Sequence, residues 1–166
     1  MFRFQALEGN KQDMYRQLFQ QTTALLEGET NWLANTANTS ALLYQQLPDV
    51  NWAGFYFLHG DELVLGPFQG KPACVRIPLE KGVCGTAAAE RKTLVVPDVN
   101  AFPGHIACDA ASRSEIVVPV MENGTVIGVL DIDSPVTDRF DETDQAELEK
   151  LVALLVRRTT WPSSFA

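Results

Sequence analysis

The sequence lacks a long apolar run, a Cys-X-X-Cys pair and an excess of positive charge. Its longest aliphatic stretches, residues 151–156 and residues 126–130 with an interrupting Gly128, are far shorter than the ~20 residues that a membrane-spanning helix needs. Residues 1–12 contain no apolar segment behind a basic start, so they do not resemble a secretion signal. We therefore expect a cytoplasmic protein with no membrane partner, whose thiols are reduced at rest.

Cysteines and basic residues are both scarce. An odd count of three cysteines argues against a structural disulfide framework and against a four-cysteine zinc site. The 13 basic and 21 acidic side chains give a formal net charge of −8, which provides no electrostatic attraction to a phosphate backbone. Nucleic acid is therefore not an expected partner.

The residues that are present fit one globular domain. The chain has 166 residues, of which 46% are hydrophobic and 20% charged, and a chain of this length buries roughly two-thirds of its unfolded surface. We expect a single domain over residues 1–166, with residues 1–10 and 159–166 as flanking segments.

The hydrophobic pattern predicts helices first, then strands, then a closing helix. Apolar residues recur at helical spacing over residues 11–28, 31–47 and 141–158. Strands are predicted over residues 50–58 and 62–68, and over residues 115–121 and 125–132 with a tight turn at Asn123-Gly124. This order predicts an α+β domain with a central antiparallel sheet, the N- and C-terminal helices on one face and a ligand pocket under loops on the other.

Three carboxylates are predicted to converge on the open face of that sheet. Asp131 and Asp133 are two residues apart in one strand, so both point to the same face, and the hairpin brings Glu115 of the neighbouring strand close to them. Mutual repulsion in a pocket would raise at least one pKa, and such a group can donate a proton or accept a cation. The alternative is an acidic strand end that is exposed to water.

The cysteines form a second group of candidates. Free cysteine usually packs as a small hydrophobic residue. Cys84, which begins a short predicted helix, could pack in this way or be a thiol activated by the helix dipole, whereas Cys108 lies in a polar loop that does not resemble core. His105 and Cys108 could both ligate a metal, but one further cysteine and the distant His59 complete a poor zinc set, so no metal site is predicted.

The aromatic strand provides a third feature. Strand alternation places Trp52 and Tyr56 on one face, opposite Ala53 and Phe55. These rings could be ordinary core, or they could form a wall that accepts a methyl or cationic group beside the carboxylates. The pattern does not decide between these interpretations.

Taken together, these residues resemble a known family. The closing half, VVPV at 117–120 and IGVLDIDS at 127–134 with Phe140 and Asp144, resembles a GAF domain. More narrowly, the chain from about residue 28 to residue 155 resembles the free methionine-(R)-sulfoxide reductases. The motifs that carry this likeness are NWAGFY at 51–56, LGPFQG at 65–70, AC at 73–74, GVCGT at 82–86, GHIACD at 104–109 and SEI at 114–116.

The resemblance implies a thiol-dependent enzyme. It implies Cys108 as nucleophile, Cys74 as the main resolving thiol and Cys84 as a secondary or structural partner. Members of this family are homodimers that thioredoxin reduces, and they need no metal or organic cofactor. The residues expected to bind substrate are Trp52, which would face the methyl group, Tyr56 beside it, Glu115, Asp131 and Asp133.

The chemistry of a sulfoxide fits these expected roles. Its oxygen leaves only when it is protonated or strongly hydrogen-bonded, and a carboxylic acid kept neutral by like-charged neighbours can supply that proton. Cys108 would be left as a sulfenic acid, Cys74 would condense with it to a disulfide, and a dithiol would restore both thiols. Backbone amides near residues 73–75 or 106–109 are candidates to bind the substrate carboxylate.

Two other functions are compatible with this domain type. The chain could be a GAF sensor that binds a small molecule without catalysis, or an interaction protein regulated by a Cys74–Cys108 disulfide. A sensor has no need of three thiols at these positions, and the enzyme gives a role to the carboxylates, the tryptophan and the cysteines. The sequence therefore favours the enzyme.

Overall fold

The computed structural model describes residues 2–106 and 108–165. Across these residues the chain forms an α+β fold whose elements alternate in blocks, as the hydrophobic pattern predicts. The helices are α1 (Lys11–Leu25), α2 (Trp32–Gln46), α3 (Gly82–Glu90) and α4 (Glu142–Arg158), and the strands are β1 (Trp52–His59), β2 (Glu62–Gly70), β3 (Arg76–Pro78), β4 (Leu94–Val96), β5 (Ser114–Glu122) and β6 (Thr125–Ser134).

The strands form one antiparallel sheet in the order β3-β2-β1-β6-β5-β4. The β5–β6 hairpin turns at Asn123 and Gly124, whose φ angles of 51° and 77° are those of a type I′ turn. This confirms the predicted turn. The turn fixes the pairing only as far as Met121 opposite Val126. A bulge there shifts the register by one residue, so that Val120 lies opposite Gly128 and Glu115 opposite Asp133.

The sheet separates two apolar clusters. On one face α2 packs on β1 and β2, α4 packs on β5, and α1 packs on α2 and α4. Ala53, Phe55 and Phe57 of β1 belong to this apolar cluster. Trp52 and Tyr56 point to the other face, where they pack with residues of α3. The predicted alternation of β1 and the predicted placement of the N- and C-terminal helices on one face are therefore confirmed.

Helix α4 is anchored at its N-terminus by a buried carboxylate. Asp141 is the N-cap and forms a capping box with Asp144. Asp144 is fully buried and accepts hydrogen bonds from the Tyr15 hydroxyl at 2.6 Å and the Lys11 ammonium at 2.8 Å. These contacts join α1 to α4, a role that the sequence pattern does not indicate.

The segments that flank the helices also pack on the core. Trp161 and Phe165 are buried, and the Phe165 ring stacks on Phe57 with ring centroids 4.6 Å apart. The division of the chain into a domain and two flanking segments stays a prediction. No helix among the described residues is long and apolar enough to cross a membrane.

Candidate active site

A small pocket lies on the sheet face opposite α1, α2 and α4. The N-terminus of α3 closes one side, and the segments around residues 71–74 and 105–109 close the other, with Ala107 outside the described residues. The floor of the pocket is formed by the central strands β1, β6 and β5. It brings together Trp52, Tyr56, Cys84, Cys108 and the three predicted carboxylates.

The carboxylates converge because of the strand register. Glu115 of β5 lies opposite Asp133 of β6, and Asp131 is on the same face two residues earlier. Glu115 and Asp131 are 7% and 6% exposed, so the alternative of a water-exposed strand end is wrong for these two. Within the described residues, the buried Oδ1 of Asp131 has no hydrogen-bond partner.

Burial and mutual repulsion control the ionisation of this cluster. Burial raises the pKa of Glu115, Asp131 and Asp133 well above their ordinary values, and the negative charges of neighbouring carboxylates raise them further. A carboxyl group that keeps its proton near neutral pH can act as a general acid. The cluster can therefore donate a proton when neutral and attract a cation when ionised.

The two aromatic residues are both core and pocket wall. Trp52 and Tyr56 are almost fully buried, and the Trp52 ring stacks between Tyr56 and Phe68 with centroids 6.0 Å and 5.2 Å away. The close approach of Phe68 depends on Gly54, because a Cβ on Gly54 would lie 2.3 Å from the Cβ of Phe68. The sequence leaves open whether these rings are core or a ligand wall, and in the structure they are both.

The polar atoms of these aromatic residues hold the segment that carries Cys74. The Trp52 indole nitrogen donates to the carbonyl of Lys71 at 3.1 Å, and the Tyr56 hydroxyl donates to the carbonyl of Cys74 at 2.9 Å. Burial raises the pKa of Tyr56, so its hydroxyl remains a donor. Tyr56 thus positions the Cys74 segment as well as lining the pocket.

The cysteines fall into a bonded pair and one isolated thiol. Cys74 and Cys108 form a disulfide, with Cα atoms 5.6 Å apart and a sequence separation of 34. Cys84 is free and buried in the first turn of α3. Burial and the nearby Asp131 raise the pKa of the Cys84 thiol. Activation by a helix dipole, one of the two interpretations of this residue, would instead lower that pKa.

The two histidines do not come together. His105 lines the pocket, and burial lowers its pKa. His59 lies at the end of β1 on the opposite side of the sheet, where its ring contacts Phe165. The structure therefore does not bring His59 together with His105 and Cys108.

Three polar residues at the rim have no role in the sequence analysis. The Asn51 amide nitrogen lies 3.4 Å from an Asp109 carboxylate oxygen and 3.4 Å from the Ser112 hydroxyl. Asp109 and Ser112 line the pocket, so Asn51 connects the start of β1 to the loop that carries Cys108. Asn51 lies in the NWAGFY motif and Asp109 in the GHIACD motif, but only the fold shows that they meet.

The chain is similar to known proteins along most of its length. The family described as "GAF domain" matches residues 18–158. The "Free methionine-R-sulfoxide reductase" of Escherichia coli is 58% identical, over 88% of each chain. A solved structure of free methionine-R-sulfoxide reductase from Neisseria meningitidis, in complex with its substrate, is 47% identical with a TM-score of 0.92, over 95% of each chain.

A second solved structure gives the same result. The reduced form of fRMsr of Staphylococcus aureus is 51% identical with a TM-score of 0.86, over 93% of this chain and 99% of that one. Agreement of sequence and fold at these levels, over nearly the full length of each protein, extends beyond the GAF fold that many proteins share. The chain belongs to the free methionine-R-sulfoxide reductases, a group within the GAF domain family.

Proposed function

We propose that this protein reduces free L-methionine-(R)-sulfoxide to L-methionine. The observation that carries the proposal is the Cys74–Cys108 disulfide, which closes a pocket whose floor holds three converging carboxylates. A pair of thiols supplies the two electrons of the reduction, and a carboxyl group supplies the proton that the departing oxygen needs.

In the first step the Cys108 sulfur attacks the electrophilic sulfur of the substrate. A neutral carboxyl group among Glu115, Asp131 and Asp133 protonates the sulfoxide oxygen as its bond to sulfur breaks. The oxygen leaves as water, with the thiol proton as its second hydrogen, and Cys108 stays bonded to the substrate sulfur. A water then attacks the Cys108 sulfur, the S–S bond breaks, and L-methionine leaves while Cys108 becomes a sulfenic acid and the carboxyl group regains its proton. The cysteine is thus oxidised by two electrons and the sulfoxide is reduced by two. Trp52 provides an apolar surface for the substrate methyl group.

The second step restores the cysteines. The Cys74 thiol displaces hydroxide from the Cys108 sulfenic acid, which forms the disulfide and one water. A dithiol reductant then exchanges with this disulfide and leaves both thiols reduced. We propose thioredoxin as that reductant. We also propose that the protein is a homodimer and lies in the cytoplasm, as the resemblance to its family implies.

The disulfide form is closed to the substrate. The cavity has a volume of about 40 Å³, which accommodates water but is far below the roughly 300 Å³ of an ordinary small-molecule site. Cys108 lines the cavity, and its bond to Cys74 ties it to the segment whose lining residues include Ala73. Breaking their bond frees the segments to move apart, so reduction precedes substrate binding in each cycle.

The pocket is suited to a free amino acid. The ionised carboxylates attract the substrate ammonium group, and backbone N–H groups near residues 73–75 or 106–109 are the candidates to donate hydrogen bonds to its carboxylate. A peptide-bound or N-acetylated methionine sulfoxide lacks the ammonium charge and would leave a buried carboxylate unpaired. We therefore expect turnover of the free amino acid and very little turnover of its N-acetyl derivative.

The test is reductant-coupled turnover of the (R) and (S) epimers of free methionine sulfoxide. The wild type should reduce only the (R) epimer. Cys108→Ser should lose this activity, while Cys74→Ser should release about one methionine per protein and then stop. Asp61→Asn, an exposed turn substitution away from the pocket, is the matched control. A wild type that is folded and reduced but binds the amino acid without turnover would instead be a GAF sensor.

A further inference from the structure

Cys84 has no part in the two-cysteine cycle, yet it lies against the carboxylate floor. Its sulfur and one carboxylate oxygen each from Glu115 and Asp131 all lie within 4.8 Å of one another, and all three residues are buried. Three potential ligands from α3, β5 and β6 thus face a single point. This is the spacing at which side chains share one metal ion.

The state of Asp131 is a second, independent observation. The residue is 6% exposed, and within the described part of the chain its buried Oδ1 accepts no hydrogen bond. An unpaired carboxylate oxygen in such a place costs free energy unless a proton or a cation compensates it. The unpaired oxygen belongs to one of the three residues that converge.

The donor set indicates which cation would fit. A thiolate with two carboxylates suits Zn²⁺, which accepts sulfur and oxygen ligands and commonly takes three from the protein while one position remains open. Mg²⁺ and Ca²⁺ require six or more oxygen ligands, so a thiolate does not help to bind them. A cavity of about 40 Å³ has space for one ion and a water.

We propose that Cys84, Glu115 and Asp131 form a site for Zn²⁺ that inhibits the enzyme. The ion is not a cofactor. Binding displaces protons from the thiol and from protonated carboxyl groups to solvent, and no redox change occurs. Because Glu115 and Asp131 are also expected to bind the sulfoxide, ion and substrate exclude each other. This competition rests on the proposed function, whereas the metal site itself does not.

The site can be tested without any measurement of turnover. The double variant Cys74→Ser/Cys108→Ser keeps Cys84 as the only one of the three cysteines, so that no other thiol of the protein can bind the metal. This protein, free of added thiols, is titrated with Co²⁺ as a spectroscopic probe and with Zn²⁺ against a chromophoric chelator. We expect one equivalent to bind, with thiolate-to-cobalt charge-transfer absorption and no displacement by excess Mg²⁺.

Adding Cys84→Ser to this background should abolish the charge-transfer band and weaken Zn²⁺ binding at least about tenfold, since changes outside the ligand set already cost ~10–100-fold. Glu115→Gln, which keeps the side-chain shape, should weaken binding by a similar factor if the site is as described. If Cys84→Ser is misfolded by circular dichroism, Cys84→Ala takes its place. Absence of stoichiometric binding, or affinity unchanged in both the Cys84 and the Glu115 variants, would overturn the proposal.

Competition is then measured on the wild type. Zn²⁺ should raise the KM for methionine-(R)-sulfoxide and leave kcat unchanged, and Mg²⁺ at the same concentration should have no effect. Zinc that lowers kcat at saturating substrate would refute the shared site. A protein that binds Zn²⁺ through Cys84 but never reduces the sulfoxide would leave the metal site standing and remove the proposed function.

Discussion

Replacing Asp131 with Asn should make the protein more stable and less active. Asp131 lies beside Glu115 and Asp133 in a buried cluster, and its Oδ1 is unpaired in the described part of the chain. The amide is isosteric with the carboxylate, removes one charge, and adds an N–H group that can donate to its carboxylate neighbours. The like-charge repulsion then falls, and a buried acceptor that had no donor disappears.

The expected gain follows from the free energy of a buried unpaired polar group. Such a group costs about 1–3 kcal/mol, so relief of part of this cost gives about 1–2 kcal/mol. An entropy of unfolding of about 2.1 cal/mol/K per residue amounts to about 350 cal/mol/K for the 166 residues. The melting temperature of Asp131→Asn should therefore rise by about 3–6 °C.

The gain should depend on pH with a defined sign. Because burial raises the pKa of these carboxyl groups in the folded protein, the folded state binds more protons than the unfolded state above about pH 4. The wild type therefore loses stability as pH rises through the interval between the ordinary and the raised pKa. The variant loses less, so its advantage is small near pH 4 and largest near pH 8.

The assay is thermal unfolding by circular dichroism at both pH values. Both proteins are kept in the disulfide form, so that the Cys74–Cys108 bond contributes equally. Asp61→Asn, an exposed substitution of the same kind, should shift stability by less than about 0.5 kcal/mol. Turnover by Asp131→Asn should fall at least about tenfold. A variant that melts below the wild type, or whose advantage is equal at both pH values, would show that Asp131 is not a source of repulsion.

Three further substitutions test the contacts that build the site. Tyr56→Phe removes the hydrogen bond to the Cys74 carbonyl, so disulfide formation in rapid-mixing experiments should be about 2–10-fold slower, with more sulfenic acid trapped and methionine released at the wild-type rate. An unchanged rate of disulfide formation would contradict this. Gly54→Ala forces a Cβ against Phe68 and should lower stability by about 2 kcal/mol in denaturant titrations, with altered tryptophan fluorescence; a neutral effect would mean that the strands separate freely. Asp144→Asn removes the buried charge that pairs with Lys11 and Tyr15, so it should lower stability by about 3 kcal/mol in the same titrations without changing KM. A loss of activity with stability intact would refute the structural role of Asp144.

The sequence predicts those parts of the fold that depend on local periodicity. The alternation of β1 separates Trp52 from Phe55, and the Asn123-Gly124 turn brings Glu115 of β5 near Asp131 and Asp133 of β6. Both follow from spacing within one strand or one hairpin. The convergence of the carboxylates is therefore predictable from spacing, whereas the bulge that sets the pairing of Glu115 with Asp133 is not.

Contacts between distant segments have no such signal. Tyr56 donates to the carbonyl of Cys74, and Asn51 lies close to Asp109. Both contacts join segments that are distant in sequence and that no repeating pattern of residues connects. Asp144 could be recognised as a favourable residue for a helix N-terminus, but nothing in the sequence indicates that it is fully buried. The disulfide partner of Cys108 likewise came from resemblance to a family and not from the pattern.

The two faces of the sheet explain how the protein tolerates an unfavourable pocket. On one face α1, α2 and α4 bury a continuous apolar core that includes Phe55 and Phe57. That core is built from the alternate residues of the same strand, so it can stabilise β1 without using Trp52 or Tyr56. Repulsion among the buried carboxylates lowers the stability of the opposite face, and the apolar packing of the helical face offsets this loss. It follows that substitutions on the helical face should change stability with little effect on KM, whereas removal of a carboxylate from the pocket face should raise stability and weaken substrate binding.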